Sequence, residues 1–152
     1  MPDGYETDTV TRLETNLDDC PAEQLGAAME KLLAAGALDV WFTPIQMKKN
    51  RPGTLLSVLC APGDADALAD MICAETTAFG LRREQLVRLK LGRRFETVRT
   101  EFGEVTVKIG LKGDVAVQVA PEFESCRAVS ERAGVPLRDV YDAARRSFDP
   151  GR

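Results

Sequence analysis

The chain has 152 residues, of which 44% are hydrophobic and 29% charged, a composition typical of a globular protein with one domain or two small subdomains. Its net charge of −4 disfavours a general nucleic-acid-binding protein, which usually carries a basic excess. No apolar run approaches the roughly 18 residues that a membrane helix needs, and no signal peptide is visible. We therefore predict a cytoplasmic protein with no nucleic-acid or membrane partner.

Histidine and cysteine usage narrows the metal chemistry. The chain has no histidine, which removes the commonest metal ligand and the commonest general base. No two of its four cysteines have Cys-x-x-Cys spacing, so a structural zinc site is not predicted. Cys60 and Cys73 lie in apolar surroundings typical of buried thiols, and Cys126 is expected to pack inward. Any metal would have to be held by carboxylates, cysteine or a bound ligand.

The first part of the chain predicts alternating strands and helices. Strand-like alternation precedes a helical stripe of Leu25, Ala28, Met29 and Leu32, and Gly36 is expected to end that helix. The predicted order is strand, helix, strand, strand, helix, strand, over residues 9–17, 21–35, 38–47, 54–61, 64–76 and 81–89. This is the split β-α-β pattern of a ferredoxin-like sandwich, in which two helices cover one face of a four-stranded sheet.

The remainder predicts a smaller α+β unit. Alternating runs at 95–102, 104–110 and 115–120 form a three-stranded meander. Helices are expected over 121–133, with Pro121 at the first helical position, and over 137–146. The fold class is therefore α+β, a ferredoxin-like subdomain at 9–90 followed by a meander with two helices at 91–148.

A cationic turn stands between the second and third strands. Lys48, Lys49 and Arg51 are followed by Pro52-Gly53, a turn signal because proline fixes φ and glycine tolerates positive φ. The three cations are thus expected at the tip of a β-hairpin, where a bound anion would relieve their repulsion. The alternative is a solvated basic turn without a ligand.

The predicted topology brings three connections to one end of the sheet. They are the exit of the first strand, the cationic tip and the exit of the second helix. Carboxylates, cations and hydroxyls together suit a polyphosphate with a divalent metal, since Mg²⁺ prefers carboxylate and phosphate oxygens. The alternative is that the two acids cap the first helix and pair with the lysines. The candidate residues are Asp18, Asp19, Lys48, Lys49, Arg51, Thr76, Thr77 and Arg82.

Five motifs in this order resemble one family. The chain is similar to the nickel-insertion proteins of nickel-pincer nucleotide assembly, the LarC family, over nearly its whole length. The Met-Lys-Lys-Asn-Arg-Pro-Gly run is the longest and most specific of the five. The motifs are Glu14-Thr15-Asn16-Leu17-Asp18-Asp19, Ala35-Gly36-Ala37-Leu38-Asp39-Val40, Thr43 to Gly53, Glu75-Thr76-Thr77 and Val119-Ala120-Pro121-Glu122-Phe123-Glu124.

The resemblance implies a CTP-dependent cyclometallase that requires Mg²⁺ or Mn²⁺. Such an enzyme inserts Ni²⁺ into pyridinium-3,5-bisthiocarboxylate mononucleotide, forming two sulfur–nickel bonds and one carbon–nickel bond, to make the nickel-pincer nucleotide cofactor of lactate racemase. The family's histidine-rich N-terminal half is missing here, so the chain resembles the C-terminal, CTP-binding half. That half is expected to need its N-terminal partner and to form a trimer-based homo-oligomer.

Carried onto this sequence, the resemblance implies the following roles. Lys48, Lys49 and Arg51 would contact the CTP phosphates, and Asp18 and Asp19 would hold the divalent metal, with Glu14 less favoured. Second-rank phosphate or ribose contacts would come from Thr76, Thr77 and Arg82. Two alternatives stay open, a nucleotide-sensing module without turnover and an assembly module indifferent to nucleotides.

Overall fold

The computed structural model describes residues 3–148, and the chain divides into two compact units. The first unit is Thr7–Arg88, and the second is the chain from Leu89 onward with the N-terminal residues up to Glu6. The predicted subdomains, 9–90 and 91–148, stay a prediction. No helix within residues 3–148 is long and apolar enough to cross a membrane.

The first unit has the predicted order of strands and helices, in a sheet ordered β2-β3-β1-β4. Strand β3 pairs antiparallel with both β1 and β2. The expected α+β class is confirmed, although β1 begins three residues before the predicted Thr9. The elements are β1 Glu6–Leu17, α1 Ala22–Ala34, β2 Asp39–Met47, β3 Arg51–Cys60, α2 Ala65–Glu75 and β4 Arg82–Lys90.

The two faces of strand β1 have different roles. Leu13 and Leu17 are buried in a core with Leu25, Leu32, Leu68 and Ile72 from the two helices. Because side chains alternate along a strand, Glu14 and Asn16 lie on the opposite face of the sheet. There Glu14 stands directly across from Ser57 of β3. The open face therefore carries a polar strip that leads to Asp18.

The turn between β2 and β3 is not where the sequence predicted it. Pro52 pairs with Gln46 and Gly53 with Ile45, so both belong to β3. The chain reverses at Lys48–Asn50 instead. A Cβ on Gly53 would lie 2.8 Å from the carbonyl oxygen of Leu17, so this glycine permits a close approach between strands rather than a turn.

The second unit is a meander with sheet order β5-β6-β7 and two helices. Its core joins strand residues Val105, Val107 and Ile109 to Cys126, Val129 and Val140 of the helices, so the inward packing of Cys126 is confirmed. The elements are β5 Gly92–Thr100, β6 Gly103–Lys112, β7 Val115–Pro121, α3 Phe123–Ala133 and α4 Leu137–Ser147.

Two boundaries in the second unit differ from prediction. Strand β5 begins three residues before Phe95, because its register with β6 continues to Gly92 opposite Leu111. Pro121 ends β7 instead of starting the helix, and the Glu122 amide donates to the Thr106 carbonyl at 2.9 Å. Tertiary pairing has thus extended the strands beyond what the local pattern indicates.

Candidate functional site

Three connections meet at one end of the first unit's sheet. Arg51 Nη1 lies 3.3 Å from Asp18 Oδ2, and Thr77 Oγ1 donates to Asp19 Oδ1 at 2.6 Å. The neighbouring carboxylates thus join the hairpin tip on one side to the α2–β4 loop on the other. We call residues 18–20, 48–51 and 76–80 together the rim.

Neither Asp18 nor Asp19 caps helix α1, so the alternative interpretation in which the two acids cap this helix is wrong. Pro21 is the N-cap residue, and no side chain bonds to the first amides of the helix. The Leu25 amide donates to the Pro21 carbonyl at 3.1 Å, so the first turn begins beyond the acids. Asp18 and Asp19 are directed to the flanking loops instead, where they can meet a cation.

The hairpin tip holds two lysines, Lys48 and Lys49. Within residues 3–148, no ion pair joins Lys48 or Lys49 to a carboxylate, whereas Arg51 pairs with Asp18. Lys49 and Asn50 both have positive φ, at 60° and 57°. The Gln46 amide donates to Asn50 Oδ1 at 3.1 Å and braces the turn. The tip therefore offers positive charge on a defined backbone, which favours an anion.

The two threonines of the α2–β4 loop have different roles. Thr76 Oγ1 donates to the Ile72 carbonyl at 2.7 Å and accepts from the Ala78 amide at 3.2 Å. These two hydrogen bonds stabilise the C-terminal end of helix α2. They use the donor and one acceptor site of the hydroxyl, which leaves little hydrogen-bonding capacity for a ligand. Among residues 3–148, the Thr77 hydroxyl hydrogen-bonds to Asp19 alone, so it keeps acceptor capacity. Of the predicted pair, the structure favours Thr77 as a ligand contact.

Arg82 and Glu14 belong to a polar network on the open face of the sheet. Arg82 Nη2 donates to Asn16 Oδ1 at 2.6 Å and lies 3.9 Å from Glu14 Oε2. Glu14 also accepts from Ser57 Oγ at 3.1 Å and lies 3.5 Å from Arg12 Nε. These contacts, with only 18% of the Glu14 side chain exposed, leave it little capacity for a metal.

An open pocket of about 230 Å³ lies between the end of β1 and the start of β3. Asp18 lines one side, and Cys20, half-buried, stands beside it. Among residues 3–148, no group of three or more histidine, cysteine or acidic side chains could hold a metal ion. A metal at the rim would therefore need further oxygen ligands from a bound molecule or from water. The lining residues are Leu17, Asp18, Cys20, Pro52, Gly53 and Thr54.

The other two cysteines of the first unit, Cys60 and Cys73, are not among the rim residues. Cys60 is buried, as predicted, and burial raises the pKa of its thiol. Cys73 is exposed, so the prediction of a buried thiol there is wrong. Its apolar neighbours in sequence, Met71 and Ile72, face the core because they occupy other positions around the helix.

Sequence reasoning missed several residues that support the rim. Ser57 donates a hydrogen bond to Glu14, and Asn16 accepts one from Arg82. Both contacts depend on the register between strands. Alternation along β1 could have placed Asn16 beside Glu14, but no local signal pairs Glu14 with Ser57. Thr15 was likewise missed, although its hydroxyl donates to the Gly80 carbonyl at 2.9 Å and anchors the α2–β4 loop.

The fold and the rim define an α+β protein with a ferredoxin-like unit that combines carboxylates and cations at one end of its sheet. A family model described as "Nickel insertion protein" matches residues 1–141, and the chain belongs to this family. The resemblance stated from the sequence motifs is confirmed.

Curated relatives carry matching names. A protein of Syntrophotalea carbinolica, named as a nickel insertion protein, is 49% identical over 139 residues, covering 91% of this chain and 35% of that protein. The pyridinium-3,5-bisthiocarboxylic acid mononucleotide nickel insertion protein of Acetivibrio thermocellus is 44% identical over 141 residues, covering 93% of this chain and 34% of that protein. The chain thus spans about a third of the length of these relatives.

Two solved structures are similar in sequence and fold. LarC2, the C-terminal domain of a cyclometallase involved in synthesis of the NPN cofactor of lactate racemase, has a TM-score of 0.88 and 43% identity, covering 93% of this chain and 98% of that one. A protein of Methanopyrus kandleri has a TM-score of 0.68 and 32% identity, covering 93% of this chain and 89% of that one. The similarity to LarC2 extends over nearly all of both chains.

Proposed function

We propose that this chain is the CTP- and divalent-metal-binding part of a nickel-inserting cyclometallase. The observation that carries the proposal is the position of Lys48 and Lys49 on the hairpin whose Arg51 contacts Asp18. Among residues 3–148, neither lysine pairs with an acid. The name of the Acetivibrio relative supports the substrate, pyridinium-3,5-bisthiocarboxylate mononucleotide, and the similarity to LarC2 supports the product, the nickel-pincer nucleotide.

The cationic residues would bind the triphosphate of CTP. Lys48 and Lys49 would neutralise phosphate oxygens as point charges, and Arg51 could bind two oxygens at once. Arg51 would then share its guanidinium between the phosphate and Asp18. Thr77 and Arg82 would add outer contacts to phosphate or ribose, whereas Thr76 would act through the end of helix α2.

Asp18 and Asp19 would hold Mg²⁺ or Mn²⁺ together with the triphosphate. Their oxygens fit the preference of Mg²⁺ for one or two carboxylates, substrate phosphates and water. When bound, the metal would offset phosphate charge and make the triphosphate easier to cleave. Glu14 would serve indirectly, by keeping Arg82 near the rim through the contacts with Asn16 and Ser57.

Nickel is a substrate in this proposal. The thiocarboxylate sulfurs of the organic substrate would carry two of its bonds. A ring carbon would form the third bond as its C–H bond breaks and the hydrogen leaves as a proton, so nickel stays divalent. The absence of histidine from this chain supports nickel delivery by the N-terminal half of the enzyme. A trimer-based homo-oligomer, in which a neighbouring copy could complete the site, belongs to the same proposal.

The test is calorimetric titration of CTP with and without Mn²⁺, repeated with ATP. We expect CTP to bind only when the metal is present and more tightly than ATP. The Asp18→Asn/Asp19→Asn variant keeps the size of both side chains but loses both negative charges. It should therefore lose most of its affinity for CTP, and adding Mn²⁺ should no longer strengthen CTP binding. Equal binding of both nucleotides, or metal-independent CTP binding, would contradict the proposal.

A nucleotide-sensing module is the second candidate. It is favoured by the share of the relatives that this chain spans, about a third, because a partial chain could bind CTP without turning it over. The two functions separate when the N-terminal half, Ni²⁺ and the organic substrate are supplied. A cyclometallase then releases CMP and pyrophosphate, whereas a sensing module binds CTP and releases neither.

A further inference from the structure

One aromatic side chain at the rim is wholly exposed. Phe79 has a relative exposure of 106%, whereas the other large apolar side chains exposed in the first unit keep substantial cover: Leu33 at 46%, Leu38 at 48% and Val87 at 67%. A fully exposed phenyl ring contributes none of the hydrophobic stabilisation that a buried one provides. This contrast sets Phe79 apart from an ordinary surface residue.

The loop that carries Phe79 is held at several points. On one side, the Ala78 amide donates to Thr76 Oγ1, and Ala78 and Leu81 pack against the core. On the other, Thr15 Oγ1 donates to the Gly80 carbonyl at 2.9 Å. Both neighbours of Phe79 are therefore fixed, and the backbone holds the ring outward.

The position of the loop relates Phe79 to the proposed nucleotide site. Thr77, two residues earlier, contacts Asp19, so the loop adjoins the acid pair. The sheet order β2-β3-β1-β4 places the cationic hairpin on one side of the β1 exit and the start of β4 on the other. Neighbouring strands are about 4.8 Å apart, so the hairpin and the Phe79 loop flank the acids within roughly two strand spacings, about 10 Å.

We propose that Phe79 is the stacking surface for the base of the nucleotide, an inference that rests on the proposed function. A triphosphate anchored at Lys48 and Lys49, with its metal at the acid pair, would extend its nucleoside towards the α2–β4 loop. Aromatic side chains bind bases through their faces. Because the backbone on both sides of Phe79 is already held, binding would restrict only the two side-chain torsions of the ring. Since every base has such a face, Phe79 would supply affinity, and the choice of cytosine would depend on other groups.

Titration of wild type, Phe79→Ala and Phe79→Tyr with CTP and with inorganic triphosphate, each with Mg²⁺, tests the inference. We expect Phe79→Ala to weaken CTP roughly ten-fold and to leave triphosphate binding unchanged. Phe79→Tyr keeps the aromatic face and should retain CTP affinity. Lys48→Ala/Lys49→Ala is the contrasting variant, because it should weaken both ligands.

The outcomes separate this inference from the function on which it rests. The stacking role of Phe79 is wrong if Phe79→Ala binds CTP as tightly as wild type does, or if it loses equal affinity for CTP and for triphosphate. In either case, CTP binding by wild type would still support the proposed nucleotide site. Failure of wild type to bind either ligand overturns both. Sedimentation velocity on the same proteins supplies a further check, because loss of an oligomer in Phe79→Ala would assign the ring to a contact between copies and overturn stacking.

Discussion

At the residue scale, Lys49 occupies a backbone conformation that a lysine does not favour. Its φ of 60° and ψ of 25° lie in the left-handed region, which costs a non-glycine residue about 1–2 kcal/mol. Strained residues of this kind concentrate at functional sites. The charge at the hairpin tip is thus retained at a cost in stability, which agrees with a role in ligand binding.

Two substitutions at Lys49 separate charge from strain. Lys49→Ala and Lys49→Gly both remove the cation, so both should weaken CTP by similar amounts. Only glycine relieves the left-handed strain, so Lys49→Gly should be more stable than Lys49→Ala by about 1 kcal/mol. Urea denaturation measures the stabilities and calorimetry the affinities. An alanine variant as stable as the glycine variant would contradict the assignment of strain.

Thr11 and Thr15 offer a second test at this scale. Both are buried on β1, but Thr11 Oγ1 has no hydrogen-bond partner among residues 3–148, whereas Thr15 Oγ1 bonds to the Gly80 carbonyl. Thr11→Val should raise the free energy of unfolding by about 1 kcal/mol, because it removes an unsatisfied buried hydroxyl. Thr15→Val should lower it by about 1 kcal/mol. Thermal or urea unfolding measures both free energies of unfolding. If both variants were more stable than wild type, or both less stable, the different hydrogen bonding of the two threonines would not explain their contributions.

At the scale of elements, the β2–β3 hairpin depends on Gly53. An added Cβ would lie 2.5 Å from Met47 Sδ, which can move, and 2.8 Å from the Leu17 carbonyl oxygen, which cannot move without disturbing β1. Gly53→Ala should therefore destabilise the protein by about 1–3 kcal/mol. It should also weaken CTP, because β1 leads directly to Asp18.

Gly63→Ala is the matched control for this change. A Cβ there meets nothing within 4 Å, so its effect on stability should stay within about 0.5 kcal/mol. Denaturant unfolding of both variants makes the comparison. If Gly53→Ala were as stable as Gly63→Ala, the close approach between β1 and β3 would not be a constraint on the fold.

The same elements show how far sequence alone can go. Apolar periodicity was sufficient for the order of strands and helices, because burial on one face leaves a period of two or near 3.6 in the chain. Pro52-Gly53 misled because a local turn signal cannot reveal that Gly53 meets Leu17 across the sheet. The acid pair and the cationic tip were identified from charge, whereas Ser57, Thr15 and Phe79 depend on register and exposure that exist only after folding.

At the scale of the whole molecule, two compact units form a chain that spans about a third of its curated relatives. The proposed nucleotide contacts all lie on the first unit, within Thr7–Arg88. In the proposed function, nickel would be delivered by the part of the relatives that this chain does not cover. The chain is therefore expected to bind CTP with its metal even where it does not complete the insertion reaction alone.

The measurement closest to the central claim is calorimetric titration of CTP with Mn²⁺ into wild type, Lys48→Ala/Lys49→Ala and Arg99→Ala. Arg99 is an exposed cation of the second unit, so its variant controls for the loss of one positive charge outside the rim, against which each lysine's share of the double variant's effect is compared. We predict that the double variant loses about 1.5–3 kcal/mol of binding free energy per lysine, while Arg99→Ala binds as wild type does. CTP affinity that is unchanged in the double variant, or lowered equally in Arg99→Ala, would contradict a triphosphate site at the rim.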